Sequence, residues 1–98
     1  MTARPVNAAD GLQRDYRVAF LRYVSTREEG PLAAAYELGR RAVGEGLSIL
    51  ELSRIHHEVF RTVIQDTRSA DLDGVVEAAS AFFLEFLATY HMTHGRAG

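Results

Sequence analysis

Cysteine is absent, so neither disulfides nor thiolate metal sites are available to this chain and nothing in it calls for an oxidising compartment. Lysine is absent too. Eleven arginines face thirteen carboxylates for a formal charge of −2, which leaves no basic field to attract a phosphate backbone and speaks against nucleic acid as a partner. The exclusive use of arginine points to a high-GC genome, a compositional inference with no mechanistic content. No apolar run approaches the ~20 residues that span a bilayer, and Met1-Thr2-Ala3-Arg4-Pro5-Val6 lacks the apolar core of a signal peptide. A cytoplasmic protein without a membrane partner is expected. Strand signals are missing as well: no segment alternates apolar and polar residues with β-branched enrichment.

What remains is helical periodicity. In 98 residues, 47% of them hydrophobic, it predicts one all-α domain, an antiparallel bundle of four helices, whose limited interior favours packing as a dimer. Helix one is predicted from about Asp10 to Arg27, with Leu12, Tyr16, Ala19, Phe20 and Tyr23 on one face and Asn7 or Asp10 as cap. Glu28-Glu29-Gly30-Pro31 interrupts the pattern, and Pro31 suits the first turn of helix two, which ends near Gly44 or Gly46. Within it Glu37 and Arg41 stand four apart in the favourable order for an ion pair.

Ser48-Ile49-Leu50-Glu51 is a capping box, so helix three begins at Ser48. Its stripe Ile49, Leu52, His56, Val59 and Val63 has the spacing of a helix packed lengthwise, with Glu51, Arg54, Glu58, Arg61 and Gln65 on the opposite arc. After a polar gap from Asp66 to Asp73, helix four runs to about Thr93, capped by Ser69, Asp71 or Asp73. Val75, Ala79, Phe82, Phe83, Phe86 and Tyr90 form its inner face, an aromatic arc too wide for one neighbouring helix. Short connections make successive helices antiparallel, as an up-down bundle or as two packed hairpins.

Chemistry-bearing constellations are sparse, and no catalytic residue or cofactor is assigned. His56 lies in the helix-three stripe and reads as a structural core histidine; phosphotransfer at His56 or His57 is disfavoured by the acidic neighbour Glu58. His91 and His94 stand three apart, but Glu85 falls on another side and no third ligand is in reach, so no metal is expected. Helix four carries an outward strip of Ala81, Leu84, Ala88 and Met92, edged by Glu77 and Glu85. It reads equally as a binding surface or as scattered exposed alanine. Helix two offers Ala33, Tyr36, Glu37 and Arg40, with the tyrosine and arginine enriched at interfaces.

Ala35-Tyr36-Glu37-Leu38-Gly39-Arg40, then Gly46-Leu47-Ser48-Ile49-Leu50-Glu51-Leu52 and Ile55-His56-His57-Glu58, resemble helices two and three of the N-terminal regulatory domain of RsbU-type phosphoserine phosphatases. Tyr16 and Tyr23, Phe82-Phe83-Leu84-Glu85, and Tyr90 to His94 extend the resemblance from about Asp15 to Thr93. It implies a non-catalytic homodimeric module that receives a GHKL-type, RsbT-like switch kinase, whose docking turns on a phosphatase acting on an anti-anti-sigma factor in stress signalling. It also tips the two strips toward partner binding. Since the sequence stops at Gly98 without phosphatase or kinase motifs, it is expected to be the N-terminal fragment of a longer signalling protein, with 1–9 and 95–98 flexible. The competing readings are a histidine phosphotransfer or sensor-kinase-associated bundle, phosphorylated on His56, His57 or His91, and a free-standing dimeric scaffold.

Overall fold

The computed structural model describes residues 8–94, and every regular element among them is helical: α1 (Ala8–Thr26), α2 (Glu29–Gly44), α3 (Ile49–Gln65), a short 3-10 turn (Ser69–Asp71) and α4 (Leu72–His94). Asn7 and the terminal segments 1–7 and 95–98 lie outside the described residues. Helix α1 is already helical at Ala8, ahead of the predicted Asp10. Asp10 therefore sits in the first turn, where its charge complements the helix dipole instead of capping from outside. Pro31 likewise falls inside the first turn of α2, where no intrahelical acceptor awaits an N–H.

The helix ends obey local chemistry. Arg27 closes α1 in the left-handed region (φ 55°), its N–H donating to the Tyr23 carbonyl at 2.7 Å. Gly46 (φ 76°) terminates α2 in a Schellman motif: its N–H donates to the Val43 carbonyl and the Leu47 N–H to that of Ala42, each at 3.0 Å. Ser48 then opens α3 through the capping box, accepting from the Glu51 N–H at 3.2 Å while the Glu51 carboxylate accepts from the Ser48 N–H at 2.9 Å.

Of the two predicted geometries, the paired hairpins form. Helices α1 and α2 pack side by side and α2 lies most closely on α4, while α3 packs on α1 and more lightly on its own hairpin partner α4, and α2 and α3, consecutive in sequence, barely meet. The interior is an aromatic cluster. Tyr16, Phe20, Phe82 and Phe86 are completely buried, with edge-on approaches of 4.7 Å between Tyr16 and Phe86 and 5.0 Å between Tyr16 and Phe82. Helix α4 thus meets α1, α2 and α3, so the wide aromatic arc finds most of its partners within a single chain. Phe83, Leu87 and Tyr90 remain half-buried at its margin. Ile55, which the predicted stripe omitted, is buried on the inner side of α3 beside the half-buried His56.

Helix α2 can approach α4 because its inner face is small: Ala35, Leu38, Gly39 and Ala42 are its buried residues. At the crossing, a Cβ on Gly39 would overlap the backbone carbonyl of Phe86, and the Thr89 hydroxyl donates to the Tyr36 carbonyl at 3.3 Å. The fold makes a direct prediction. Gly39→Ala gains helix propensity but forces two backbones apart, a net loss of about 2 kcal/mol or ~10 °C in melting temperature. Gly44→Ala, where the new methyl meets open space, should leave the melting temperature unchanged or raise it. Thermal unfolding by circular dichroism separates the pair, and equal melting temperatures would remove the close crossing as a constraint.

Candidate partner-binding surface

Two polar links set the helices in register and fix what faces outward. The first joins α1 to α2: Nη1 of Arg41 lies 2.6 Å from a carboxylate oxygen of Asp15, and its Nε lies 3.7 Å from a carboxylate oxygen of Glu45. This contact with Arg41 chiefly holds the Asp15 carboxyl below its ordinary range, with Arg14 assisting and burial opposing. The predicted Glu37–Arg41 pair does not form, because Arg41 reaches across to α1. Glu37 pairs with Arg40 instead, at 3.4 Å.

The second link joins α1 to α3. The buried Tyr16 hydroxyl lies 2.6 Å from Nδ1 of His56, whose ring stacks on Phe83 at 4.0 Å between centroids and lies parallel to Phe60 at 5.7 Å. Burial pushes the Tyr16 hydroxyl well above the usual tyrosine range, so it keeps its proton and donates it to Nδ1. The imidazole accordingly carries its own proton on Nε2. Burial, with a smaller contribution from neighbouring His57, lowers the His56 pKa to about 4.

The histidines whose side chains are described do not converge on a metal site. His57 is exposed on α3 and His91 exposed on α4, and the side chain of His94 lies outside the described residues. Among the described residues no cluster of three or more histidine, aspartate or glutamate side chains is arranged to hold a metal ion.

What does converge is the pair of candidate strips. On α4, Leu84 and Met92 are 67% and 53% exposed, and Ala81 and Ala88 are half-buried between them and the core. On α2, Ala33, Glu37 and Arg40 are exposed and Tyr36 is half-buried. The Tyr36 hydroxyl donates to the Met92 sulfur at 3.9 Å, joining two strips 56 residues apart in sequence into one surface. Its chemistry is mixed: thioether, leucine and alanine beside a phenol, with the Glu37–Arg40 pair at the edge. An adaptable apolar centre with a polar rim suits a protein partner better than a small solute.

Sequence reasoning missed other exposed apolar residues. Val18 and Leu21 on α1 are 58% and 39% exposed, and Val76 and Leu50 also face solvent. The signal was available for α1: both residues fall off the Leu12–Tyr16–Phe20–Tyr23 stripe, as large apolar side chains among arginines.

The family model described as phosphoserine phosphatase RsbU, N-terminal domain, matches residues 14–93. No curated protein and no solved structure matches the chain. Among the described residues no helix is long and apolar enough to cross a membrane.

The Tyr16–His56 link predicts a pH dependence of defined sign. An unfolded chain protonates His56 near its ordinary 6.5, whereas the folded chain does so only near 4. Between those values the unfolded state binds the extra proton, so the stabilisation is complete above 6.5 and is lost as pH falls toward 4. The Asp15 contribution, a lowered carboxyl, is lost at lower pH, below the ordinary aspartate value of 3.8. His56→Ala should cost about 1–3 kcal/mol near neutrality, from the lost ring and the orphaned Tyr16 hydroxyl, and His57→Ala less. Urea midpoints measured from neutrality down to the lower pKa should fall steeply for the native chain and flatten for His56→Ala. Parallel profiles would mean that His56 is not the titrating group.

Proposed function

The chain belongs to the family of RsbU phosphoserine phosphatase N-terminal domains, and on that footing we propose that it is the regulatory and dimerisation part of an RsbU-like protein phosphatase. The matched region is the regulatory N-terminal part of that family and not its phosphatase domain. In this reading the module has no catalysis of its own and works in the cytoplasm, where a GHKL-type, RsbT-like switch kinase docks on it and releases phosphatase activity toward an anti-anti-sigma factor in a stress response. Self-association as a homodimer belongs to the same reading, and the exposed Val18 on α1 supports it as apolar area away from the kinase surface.

One observation carries the docking assignment: the Tyr36–Met92 contact that joins the α2 strip to the α4 strip, on which Leu84 is the most exposed apolar side chain. A switch kinase covering this surface would desolvate its apolar centre, where a single charge is most disruptive. Leu84→Asp should therefore weaken kinase binding by tenfold or more, about 1.4 kcal/mol at least. Helicity and oligomer mass should not change, since the side chain is already largely in water. Glu58→Arg, on α3, should leave binding nearly intact. Titration calorimetry with the GHKL-type kinases of the same genome tests this, and normal affinity in Leu84→Asp would remove the strip from the interface.

A further inference from the structure

We infer that the cleft where the C-terminal ends of α1 and α3 meet the 3-10 turn binds a small amphipathic carboxylate, an apolar body carrying one negative charge. The cleft holds about 590 Å³, inside the range of roughly 300–1,000 Å³ typical of small-molecule sites. It lies at the opposite end of α4 from Met92 and is independent of the docking surface.

Its chemistry is divided. Val63 and Val75, both buried, and the half-buried Val24 supply an apolar floor, with Leu21 at the open edge. Arg17, Arg27 and Arg68 also line it. Arg27 is fixed in place: its guanidinium donates to the Gly74 carbonyl at 3.4 Å and lies 5.4 Å over the Tyr23 ring, on a backbone in the left-handed region. Arg17 and Arg68, by contrast, enter no ion pair among the described residues, whereas Arg14, Arg40, Arg41 and Arg61 each have a carboxylate partner. Asp66 and Asp71 stand on the same wall, so the three guanidinium groups exceed the carboxylates by a single positive charge.

Each feature narrows the ligand. A surplus of one charge in a chain that is negative overall favours a monoanion. Asp66 and Asp71 offset two of the three guanidinium charges, so the site balances one negative charge and leaves the second charge of a dianion such as a phosphate monoester uncompensated. A planar carboxylate matches the forked donors of a free guanidinium, and desolvation of the valine floor rewards an apolar body of a few carbons. The site touches α1 of one hairpin and α3 and α4 of the other, so occupancy ties the hairpins together and raises the folding stability of the whole chain.

The test uses octanoate as probe, monitored by heteronuclear NMR and thermal unfolding of the intact chain, with octanol and inorganic phosphate as comparisons. Octanoate should shift the amides of Leu21, Val24, Thr67 and Gly74 saturably and raise the melting temperature. Octanol, lacking the charge, and phosphate, lacking the apolar body, should each bind about tenfold more weakly or worse. The double variant Arg17→Ala with Arg68→Ala changes only exposed side chains; it should fold normally and lose octanoate affinity about tenfold. Shifts centred on Leu84 and Met92, equal binding of octanol or of phosphate, or an unaltered affinity in the double variant would each overturn the assignment.

Discussion

The backbone-to-backbone approach of α2 and α4 at Gly39 governs both the interior of this fold and the make-up of its outer surface. With no Cβ at Gly39, the Phe86 carbonyl can sit against the α2 backbone, and the flanking Ala35 and Ala42 keep the crossing tight on either side. One turn away, the same approach brings Tyr36 alongside Thr89 and Met92. Were the helices held apart by the usual spacing of larger side chains, the phenol would not reach the thioether and the two strips would face solvent separately. A packing constraint in the interior thus determines the composition of an outer surface. Gly39 belongs to the buried face and Tyr36 to its border, although they stand three residues apart in one motif.

The other constraint is the hydroxyl of Tyr16. A fully buried phenol left without a hydrogen-bond partner loses about 1–3 kcal/mol of what its ring gains. His56 provides the acceptor only while Nδ1 is unprotonated, and its ring stays in place because Phe83 and Phe60 flank it. One interaction therefore links a helix of the first hairpin to the second hairpin, and it works in a single protonation state. The imidazole is consumed by this structural task at one nitrogen, which makes the hairpin contact sensitive to acid while leaving little of the ring for chemistry.

Much of the helical framework was legible in the sequence because it is encoded locally. The apolar period, the Ser48–Glu51 capping box and the Gly46 stop each act within a few residues, and they reappear as α3's start and α2's end. Readings that needed a third dimension fared differently. Glu37 stood at the right spacing for Arg41, but a carboxylate on another helix competed for the guanidinium and took it. Ile55 and His56 share the inner side of α3: sequence spacing named only the histidine, and packing buries the isoleucine beside it while His56 meets Tyr16 of α1 and Phe83 of α4. The strip on α4 could be proposed from periodicity, but its junction with α2 spans 56 residues and has no local signature. The cleft at the hairpin ends is equally invisible, since its walls come from separate elements.

Helix α4 carries both surfaces and keeps them apart. From Val75, at the floor of the cleft, to Met92, in the docking strip, the rise along a straight helix is about 26 Å. No side chain bridges that distance, and α4 is packed along its buried face by the aromatic cluster, so a ligand in the cleft touches none of the strip's residues. Any effect of one on the other has to pass through the packing of the hairpins: a ligand that holds α1 against α3 and α4 stabilises the folded arrangement in which Tyr36 meets Met92. Coupling of this kind scales with how often the hairpins part. It is therefore greatest where the Tyr16–His56 link is weakest, at acid pH, and smallest near neutrality, where that link already holds the hairpins together.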